Sequence, residues 1–158
     1  MSIGRVSYES AFHRASKFEH LFEFVYSQVP DAKGVKFIVS DMLRKGCRTG
    51  GITYSQGSVT VVFLGVSRGD GVYPHINRHS VPEVDAAVGG TEIGSWEEEV
   101  LLTLLHEARH IHQFEHGTFP ASDSLGAEID AERFAKRGLR KWRRAHGPLD
   151  RASSKMAA

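Results

Sequence analysis

The chain has 158 residues, of which 41% are hydrophobic and 25% are charged. These values predict one domain over residues 1–158 and exclude a multidomain protein, a disordered chain and a uniform polycation. The single cysteine, Cys47, excludes an internal disulfide and a CxxC metal knuckle. The longest apolar runs, 59–66 and 100–105, are far shorter than the ~18 residues of a bilayer span, so we expect a cytoplasmic protein without a membrane partner.

Charge is distributed unevenly along the chain, although the formal net charge is only +1. Ten acidic residues and one basic residue, Arg109, lie between Glu92 and Glu132. Nine basic residues and one acidic residue follow from Arg133 onward. An acidic stretch that also contains histidines favours the binding of a divalent cation, whereas a basic stretch favours contact with a polyanion.

The first thirty residues predict an amphipathic helix at the back of the domain. Apolar side chains recur at intervals of three and four from Phe12 to Tyr26, with polar residues between them. Pro30 ends this pattern because proline cannot continue a helix. We therefore expect the helix to end near Gln28.

Strands are predicted after this helix. Residues 35–39 alternate and are rich in β-branched side chains, and residues 52–55 and 58–66 flank Gln56-Gly57 in the manner of a hairpin. Residues 67–94 contain five glycines and two prolines without a sustained period, which predicts a long connection. Connections of this length are more often functional than structural, so we expect this one to lie near a site.

Two helices are predicted in the second half of the chain. Ser95 and Glu98 fit a capping box, and the apolar pattern that follows predicts a helix from Trp96 to about Phe114. A Gly-Thr-Phe-Pro break comes next, and either Ser122 or Ser124 is a suitable cap for a second helix over about 125–144. Because the break is short, we expect the two helices to be antiparallel neighbours.

The first of these helices contains the motif His106-Glu107-Ala108-Arg109-His110. Positions four apart share one helix face, so both imidazoles can reach one tetrahedral ion at about 2.0–2.1 Å. Zinc suits imidazole and carboxylate ligands, and Glu107 beside the ion would act as a general base toward water. With nine His and twelve Glu in the chain, about 0.04 such motifs are expected by chance, so we interpret this one as functional.

A three-ligand zinc site needs one more donor, and the candidates are His116, Glu128, Asp130 and Glu132. His116 has the spacing of the metzincin motif, but Gln113 stands where that motif has a turn-forming glycine, and a continuing helix would carry His116 to another face. Gln113 itself either contacts a substrate or continues a polar stripe. Glu128 is the better third ligand because it falls early in an antiparallel helix, with Glu132 on the same face.

The motif at 106–110, together with the later stretch Glu128-Ile129-Asp130-Ala131-Glu132-Arg133-Phe134-Ala135, resembles the gluzincin metallopeptidases. The resemblance is to their small single-domain groups, the minigluzincins and the peptidases related to the repressor-cleaving proteins of mobile elements. It covers about residues 96–136 and implies a zinc ligand at Glu128 with a supporting role for Glu132. Glu132 is a departure, since Asp or Asn is commoner there in that family.

A gluzincin also needs a hydrogen-bond donor for the oxyanion that forms when water attacks the substrate carbonyl. The stretch 67–94 offers Tyr73, His75 and His79 as candidates. The sequence does not distinguish among them, because it fixes no geometry in this stretch.

Basic residues recur at intervals of three and four from Arg133 to Arg144, with Leu139 and Trp142 on the apolar side. We interpret them as the solvated face of the second helix, which leads into a basic C-terminal tail from about residue 145. Contact with a nucleic acid through this face is the weaker alternative, because the motif context of a nucleic-acid-binding site is missing.

These features predict an α+β, zincin-like domain with an N-terminal backing helix, a small twisted sheet, the HExxH helix beneath it and an antiparallel glutamate helix. The predicted function is zinc-dependent hydrolysis of a peptide or protein substrate. Zn²⁺ would be held by His106, His110 and Glu128, with Glu107 as the base. An edge strand, for which 58–66 is the candidate, would align an extended peptide. The alternative is a zinc-containing module that binds a protein or a nucleic acid without peptidase activity.

Overall fold

A computed structural model describes residues 5–10, 13–41, 49–56, 59–67 and 73–156, with only the backbone described for residues 5, 56 and 147–156. Cys47 and the predicted turn at Gly57 lie outside the described residues. The chain mixes helices and strands, which confirms the α+β class. In order they are β1 (Arg5–Glu9), α1 (Glu19–Gln28), β2 (Lys36–Asp41), β3 (Gly50–Gln56), β4 (Val59–Val66), β5 (His75–Asn77), α2 (Pro82–Val88), β6 (Thr91–Ile93), α3 (Trp96–His116) and α4 (Ser124–Met156).

The main sheet has four strands in the order β1-β2-β4-β3. Strands β1, β2 and β4 are parallel, and β3 is antiparallel to β4, as the predicted hairpin requires. The expectation that residues 58–66 form an edge strand is wrong, because β4 pairs with β2 on one side and β3 on the other. The sheet edge on this side is therefore β3, which also contacts α3.

The N-terminal helix is shorter than predicted. It ends at Gln28 as expected, but it begins at Glu19, after a single 3-10 turn at 15–17. Residues 5–9 instead form β1, paired with β2 from Arg5 opposite Lys36 to Glu9 opposite Ser40. Such pairing between distant segments leaves little local pattern in the sequence.

The stretch 67–94 is not one structureless connection, as its lack of period suggested. It contains β5 and β6, which pair as a separate two-stranded sheet, with α2 between them. These elements have three, seven and three residues, too few for a period to show. Part of the same stretch lies beside a cluster of histidine and glutamate side chains that is described below.

Helix α3 crosses the core, and its predicted apolar face is fully buried or nearly so. Its N-cap is Ser95, whose hydroxyl accepts from the backbone amide of Glu98, while the Glu98 carboxylate accepts from the amide of Gly94. Gly117 ends the helix with φ 57°, a left-handed conformation that glycine adopts readily. The next cap is Asp123 rather than a serine, because its carboxylate accepts from the amide of Gly126.

Helices α3 and α4 are antiparallel and approach closely. Gln113 contacts Ala127 near one end of the pair, and Glu98 contacts Arg143 near the other. The interface of α4 is lined by small residues, since Ala131 and Ala135 are fully buried. A Cβ atom added at Gly138 would lie 2.6 Å from Leu105 Cδ1. This closeness allows short side chains on the two helices to meet.

The basic face of α4 is only partly solvated, which corrects the interpretation from the sequence. Lys136 donates to the carbonyls of Val88 and Gly90 at 3.1 Å, and Arg143 pairs with Glu98 at 2.6 Å. These two cations therefore anchor α4 to the α2–β6 region and to the start of α3. The helix continues through residue 145 without a break.

None of the helices in the described part of the chain combines the length and apolar composition that a membrane span requires.

Candidate metal centre

Three predicted ligands converge between α3 and α4. The Nε2 atoms of His106 and His110 lie 3.1 Å apart. Glu128 places Oε2 3.1 Å from Nε2 of His106 and Oε1 3.1 Å from Nε2 of His110. Four-residue spacing on α3 supplies the two imidazoles, and the closely packed start of α4 supplies the carboxylate.

The separations are compatible with a shared ion. Ligand atoms about 2.0–2.1 Å from zinc are about 3.3 Å from one another at the tetrahedral angle. The two Nε2 atoms, 3.1 Å apart, are close to that value, and each lies 3.1 Å from a different oxygen of Glu128. One ligand atom from each residue lies within 4.8 Å of the other two, so the group could hold a metal ion.

His106 is oriented by Glu132, which lies one turn after Glu128 on α4. Nδ1 of His106 is 2.8 Å from Oε2 of the buried Glu132. Because an ionised carboxylate can only accept, Nδ1 carries a proton, and Nε2, which faces Glu128, is the nitrogen that would exchange its proton for a metal ion. A supporting role for Glu132 would require a contact of this kind.

His110 is oriented by Gln113, which is buried. The Gln113 amide nitrogen donates to the carbonyl of Ala127 and to Asp130, both at 2.9 Å, so its oxygen faces Nδ1 of His110 at 2.8 Å. Nδ1 of His110 is therefore also the donor, and its Nε2 faces the cluster. Gln113 is buried, so the interpretation that it continues a polar stripe is wrong. Substrate contact stays a prediction, because Gln113 also lines the pocket described below.

Asp130, one of the candidates for the third ligand, is occupied elsewhere. It accepts from Gln113, and it forms a two-pronged ion pair with Arg109 at 2.7 and 3.3 Å. The carboxylate thereby fixes Gln113, which in turn fixes His110. A chain of contacts from Arg109 to the imidazole holds this side of the site in place.

Three groups that can bind a cation face one volume at this cluster. Without a metal ion, a proton on Nε2 of His106 bridges the imidazole to Glu128; once that proton is lost, two imidazole lone pairs and one carboxylate point at the same volume. Their mutual repulsion is relieved by a positive charge between them, either a proton or a metal ion. Two imidazoles and one carboxylate are one of the ligand sets found in catalytic zinc sites.

The electrostatics of the site without an ion also favour the binding of a positive charge. Burial opposes a charged His106, but hydrogen bonds with Glu128 and Glu132 outweigh it and raise the pKa of His106 to about 10. The hydrogen bonds with His106 and His110 hold the pKa of Glu128 well below its ordinary value. The site therefore attracts positive charge, and protons and metal ions compete for it.

A second grouping of possible ligands, His79 with His106 and Glu132, overlaps this one. It would use the pair of His106 Nδ1 and Glu132, whose 2.8 Å separation is that of a hydrogen bond. The grouping of His106, His110 and Glu128 is therefore the better site for a metal ion.

Glu107, the predicted base, is buried but does not belong to any of the groups of converging ligand atoms in the described part of the chain. Its carboxylate accepts a short hydrogen bond from the Thr53 hydroxyl on β3. A Cβ atom added at Gly51 would lie 2.7 Å from Cγ of Glu107. The sheet edge thus passes directly over this carboxylate and holds it.

Of the three candidates for oxyanion donor, only His79 lies at the cluster. Its Nε2 is 3.3 Å from Oε2 of Glu128, and its Nδ1 accepts from the amide of Val81 at 3.0 Å. The Tyr73 hydroxyl instead donates to Glu99 at 2.5 Å, near the start of α3. His75 lies against the ring of Tyr73.

His116 does not join the cluster, because α3 continues through Gln113 without the turn that a metzincin-like site needs. Its imidazole instead faces Asp31, together with that of His112. The sequence-based preference for Glu128 over His116 agrees with this arrangement.

A pocket of about 460 Å³ opens beside the cluster, between the end of α3 and the start of α4. Its walls include His110 and Glu128 from the cluster. The rest is lined partly by apolar side chains, among them Phe114, Phe119 and Pro120. A ligand in this pocket would therefore contact both the metal ligands and an apolar wall.

The supporting residues Gln113, Asp130 and Thr53 were not identified from the sequence. Gln113 lies three residues after His110, a spacing that allows a side-chain contact on a helix, so the signal was present but not specific. Thr53 belongs to a strand distant in sequence, and nothing local links it to Glu107.

Comparisons with protein families, with curated proteins and with solved structures give no match for this chain.

Proposed function

We propose that this protein is a zinc-dependent metallopeptidase of the gluzincin type, with a zincin-like fold. The observation that carries the proposal is the mutual 3.1 Å spacing of two imidazole nitrogens and a carboxylate. Nδ1 of each imidazole faces a partner outside the cluster, so each Nε2 is directed toward the same volume. This arrangement supports metal binding, because loss of the Nε2 proton leaves two nitrogens and a carboxylate that can all bind one ion.

His106, His110 and Glu128 would hold the zinc ion. When bound, zinc polarises the scissile carbonyl and lowers the pKa of water toward about 7. Glu107 is the next residue after His106 on α3, and Thr53 fixes its carboxylate. As the general base, Glu107 would take the proton of the attacking water and return it to the leaving amine nitrogen.

His79 would supply a hydrogen bond to the oxyanion. Because the Val81 amide donates to Nδ1, the neutral imidazole carries its proton on Nε2, which is the nitrogen that faces the cluster. A neutral N–H donor held in place by the backbone suits the stabilisation of developing negative charge on the substrate oxygen.

The substrate would bind as an extended peptide along β3. The outer edge of β3 pairs with no strand among the described residues, so the backbone groups of β3 are available for β-augmentation. The pocket beside His110 and Glu128 would receive one side chain of the peptide. Its phenylalanines and proline favour an apolar side chain there.

The decisive experiment compares zinc content and turnover in purified wild type and two variants. We expect about one tightly bound zinc per chain and cleavage of members of a quenched fluorescent peptide library. Glu107→Gln should retain zinc and lose at least ~100-fold in turnover, the size of a general-base contribution. Glu128→Ala should weaken zinc binding by about ten- to a hundredfold or more.

Other outcomes would contradict parts of the proposal. If Glu107→Gln loses zinc as readily as Glu128→Ala, Glu107 is a ligand rather than the base. If zinc-loaded wild type cleaves nothing, the interaction module is the better reading.

One feature favours that alternative. Ile52, Tyr54 and Phe63 form an exposed apolar patch on the outer face of β3 and β4. If the protein is a binding module, the Glu107→Gln variant should bind its partner as well as wild type does.

A further inference from the structure

A second group of metal-ligand residues lies outside the site described above. His112 and His116 are one turn apart on α3, and their ring centroids are 4.2 Å apart. At about 100° per residue, His112 lies about 200° around the helix from His110, so the pair faces away from the first site. Asp31, in the 3-10 helix Pro30–Gly34 after α1, faces both rings.

The donor atoms of this group are close enough together to share one ion. Nδ1 of His112 is hydrogen-bonded to Oδ2 of Asp31 at 2.9 Å, and Nε2 of His116 lies 3.4 Å from the same oxygen. One ligand atom from each residue lies within 4.8 Å of the other two. An ion would replace the hydrogen bond between His112 and Asp31, and the 3.4 Å separation is close to the roughly 3.3 Å expected at a tetrahedral ion.

The backbone on both sides of the group is fixed. The two histidines belong to the last turns of α3, whose core side includes the buried Ile111. Next to Asp31, Ala32 is fully buried, and its amide donates to the carbonyl of Val29 at 3.1 Å. The three donors are therefore held together before any ion binds, which lowers the cost of binding.

The site is open to solvent. The side chain of His116 is 55% exposed, compared with 13% for His106 and 11% for His110. Water can complete the coordination of an ion there, and the ion can exchange without movement of the fold. Because less of the site is preorganised by buried partners, binding should be weaker than at the first site.

We propose that Asp31, His112 and His116 form a second site for a divalent transition-metal ion, separate from the centre at His106, His110 and Glu128. Two imidazoles and a carboxylate suit zinc, with nickel and copper as chemical competitors. A bound ion would tie the C-terminal end of α3 to the segment after α1. It would thereby stabilise the helix that carries the first site.

The test is equilibrium dialysis against zinc, followed by elemental analysis, in wild type, three variants of the two sites and one control variant. Wild type should bind a second, weaker equivalent of zinc after the first is filled. His116→Ala and Asp31→Asn should each bind only the tight equivalent, and Glu128→Ala should keep the weak one. The exposed His20 provides the matched control, because His20→Ala removes a histidine outside both groups and should change neither equivalent.

A second readout uses thermal unfolding. Zinc added beyond the first equivalent should raise the unfolding temperature of wild type but not of His116→Ala. Binding of one equivalent by wild type, or retention of both by His116→Ala, would overturn the second site without affecting the first. Absence of the tight equivalent from wild type would count against the proposed peptidase centre instead.

Discussion

At the residue scale, the two histidines of the proposed metal centre are supported in different ways. His106 donates to a carboxylate, Glu132, whereas His110 donates to an amide oxygen of Gln113. A negatively charged partner makes an imidazole a stronger ligand, and a neutral partner mainly fixes its orientation. We infer that His106 contributes more of the electrostatic attraction for the ion and His110 more of the geometry.

The role of Gln113 leads to a prediction. Gln113→Ala removes the acceptor of the His110 N–H and leaves Asp130 without one donor, so the His110 ring loses its fixed orientation. We expect zinc affinity to fall by about ten- to a hundredfold, measured by competition with a chelator of known affinity. The half-buried Gln28, whose amide contacts Ser27 and Lys141 away from the cluster, is the control, because Gln28→Ala should leave zinc affinity unchanged. Unaltered affinity in Gln113→Ala would mean that the helix backbone alone orients His110.

The convergence of His106, His110 and Glu128 was predictable from the sequence because both parts of its signal are local. His106 and His110 follow from helix periodicity, and Glu128 follows from a short break between two helices. Thr53 and His79 come from segments far away in sequence, so their contacts with the cluster depend on the complete fold. Sequence spacing therefore predicted which three side chains meet, but not that Thr53 contacts Glu107 or which of the three candidates in 67–94 lies at the cluster.

At the scale of elements, the geometry of the centre depends on the packing of α3 against α4. Glu128 reaches the imidazoles because the helices approach closely where Ala131, Ala135 and Gly138 face α3. Larger side chains at these positions would separate the helices and move the carboxylate away from the imidazoles. These small residues therefore set the helix separation that brings Glu128 to the imidazoles.

Gly138 tests this packing. In Gly138→Ala the new Cβ would lie 2.6 Å from Cδ1 and 3.2 Å from Cδ2 of Leu105, which is fully buried. Overpacking of this kind costs about 1–3 kcal/mol. The higher helix propensity of alanine than of glycine offsets about 1 kcal/mol of this loss in the free energy of unfolding. We therefore expect a net loss in the free energy of unfolding, measured by urea denaturation.

The control for this substitution is Gly34→Ala. A Cβ atom at Gly34 meets no atom within 4 Å, so this variant should be as stable as wild type or slightly more stable. Equal stability of Gly138→Ala and Gly34→Ala would show that α4 shifts to accommodate the methyl group. In that case zinc affinity should fall instead, because the shift moves Glu128.

The elements that sequence analysis missed are short or paired over long distances. The pattern of α3 was clear because it spans 21 residues with a continuous apolar face. Strand β1 has five residues, and its partner lies about thirty residues later. The order of strands in the sheet, and with it the identity of β3 as the edge, depends on such pairings. Local periodicity could not supply it.

At the scale of the whole molecule, the charge of the metal centre couples its occupancy to the stability of the fold. In protein stripped of metal by a chelator, the pKa of His106 is raised from 6.5 to about 10, and that of Glu128 is lowered from 4.5. The Glu128 contribution is present above about pH 4.5 and is lost as the pH falls below it. The His106 contribution is complete below about pH 6.5 and is lost as the pH rises toward 10.

We therefore expect the metal-free protein to be most stable between about pH 4.5 and 6.5 and to lose stability steadily between pH 6.5 and 10. Above pH 6.5 the folded protein binds more protons than the unfolded chain, so the free energy of unfolding falls as the pH rises. Zinc reverses this trend, because it binds the unprotonated imidazoles and its advantage over the metal-free state grows with pH. Urea unfolding at a series of pH values, with chelator and with zinc, gives both curves. The coupling is absent if the two curves run parallel, or if the metal-free protein gains stability between pH 6.5 and 9.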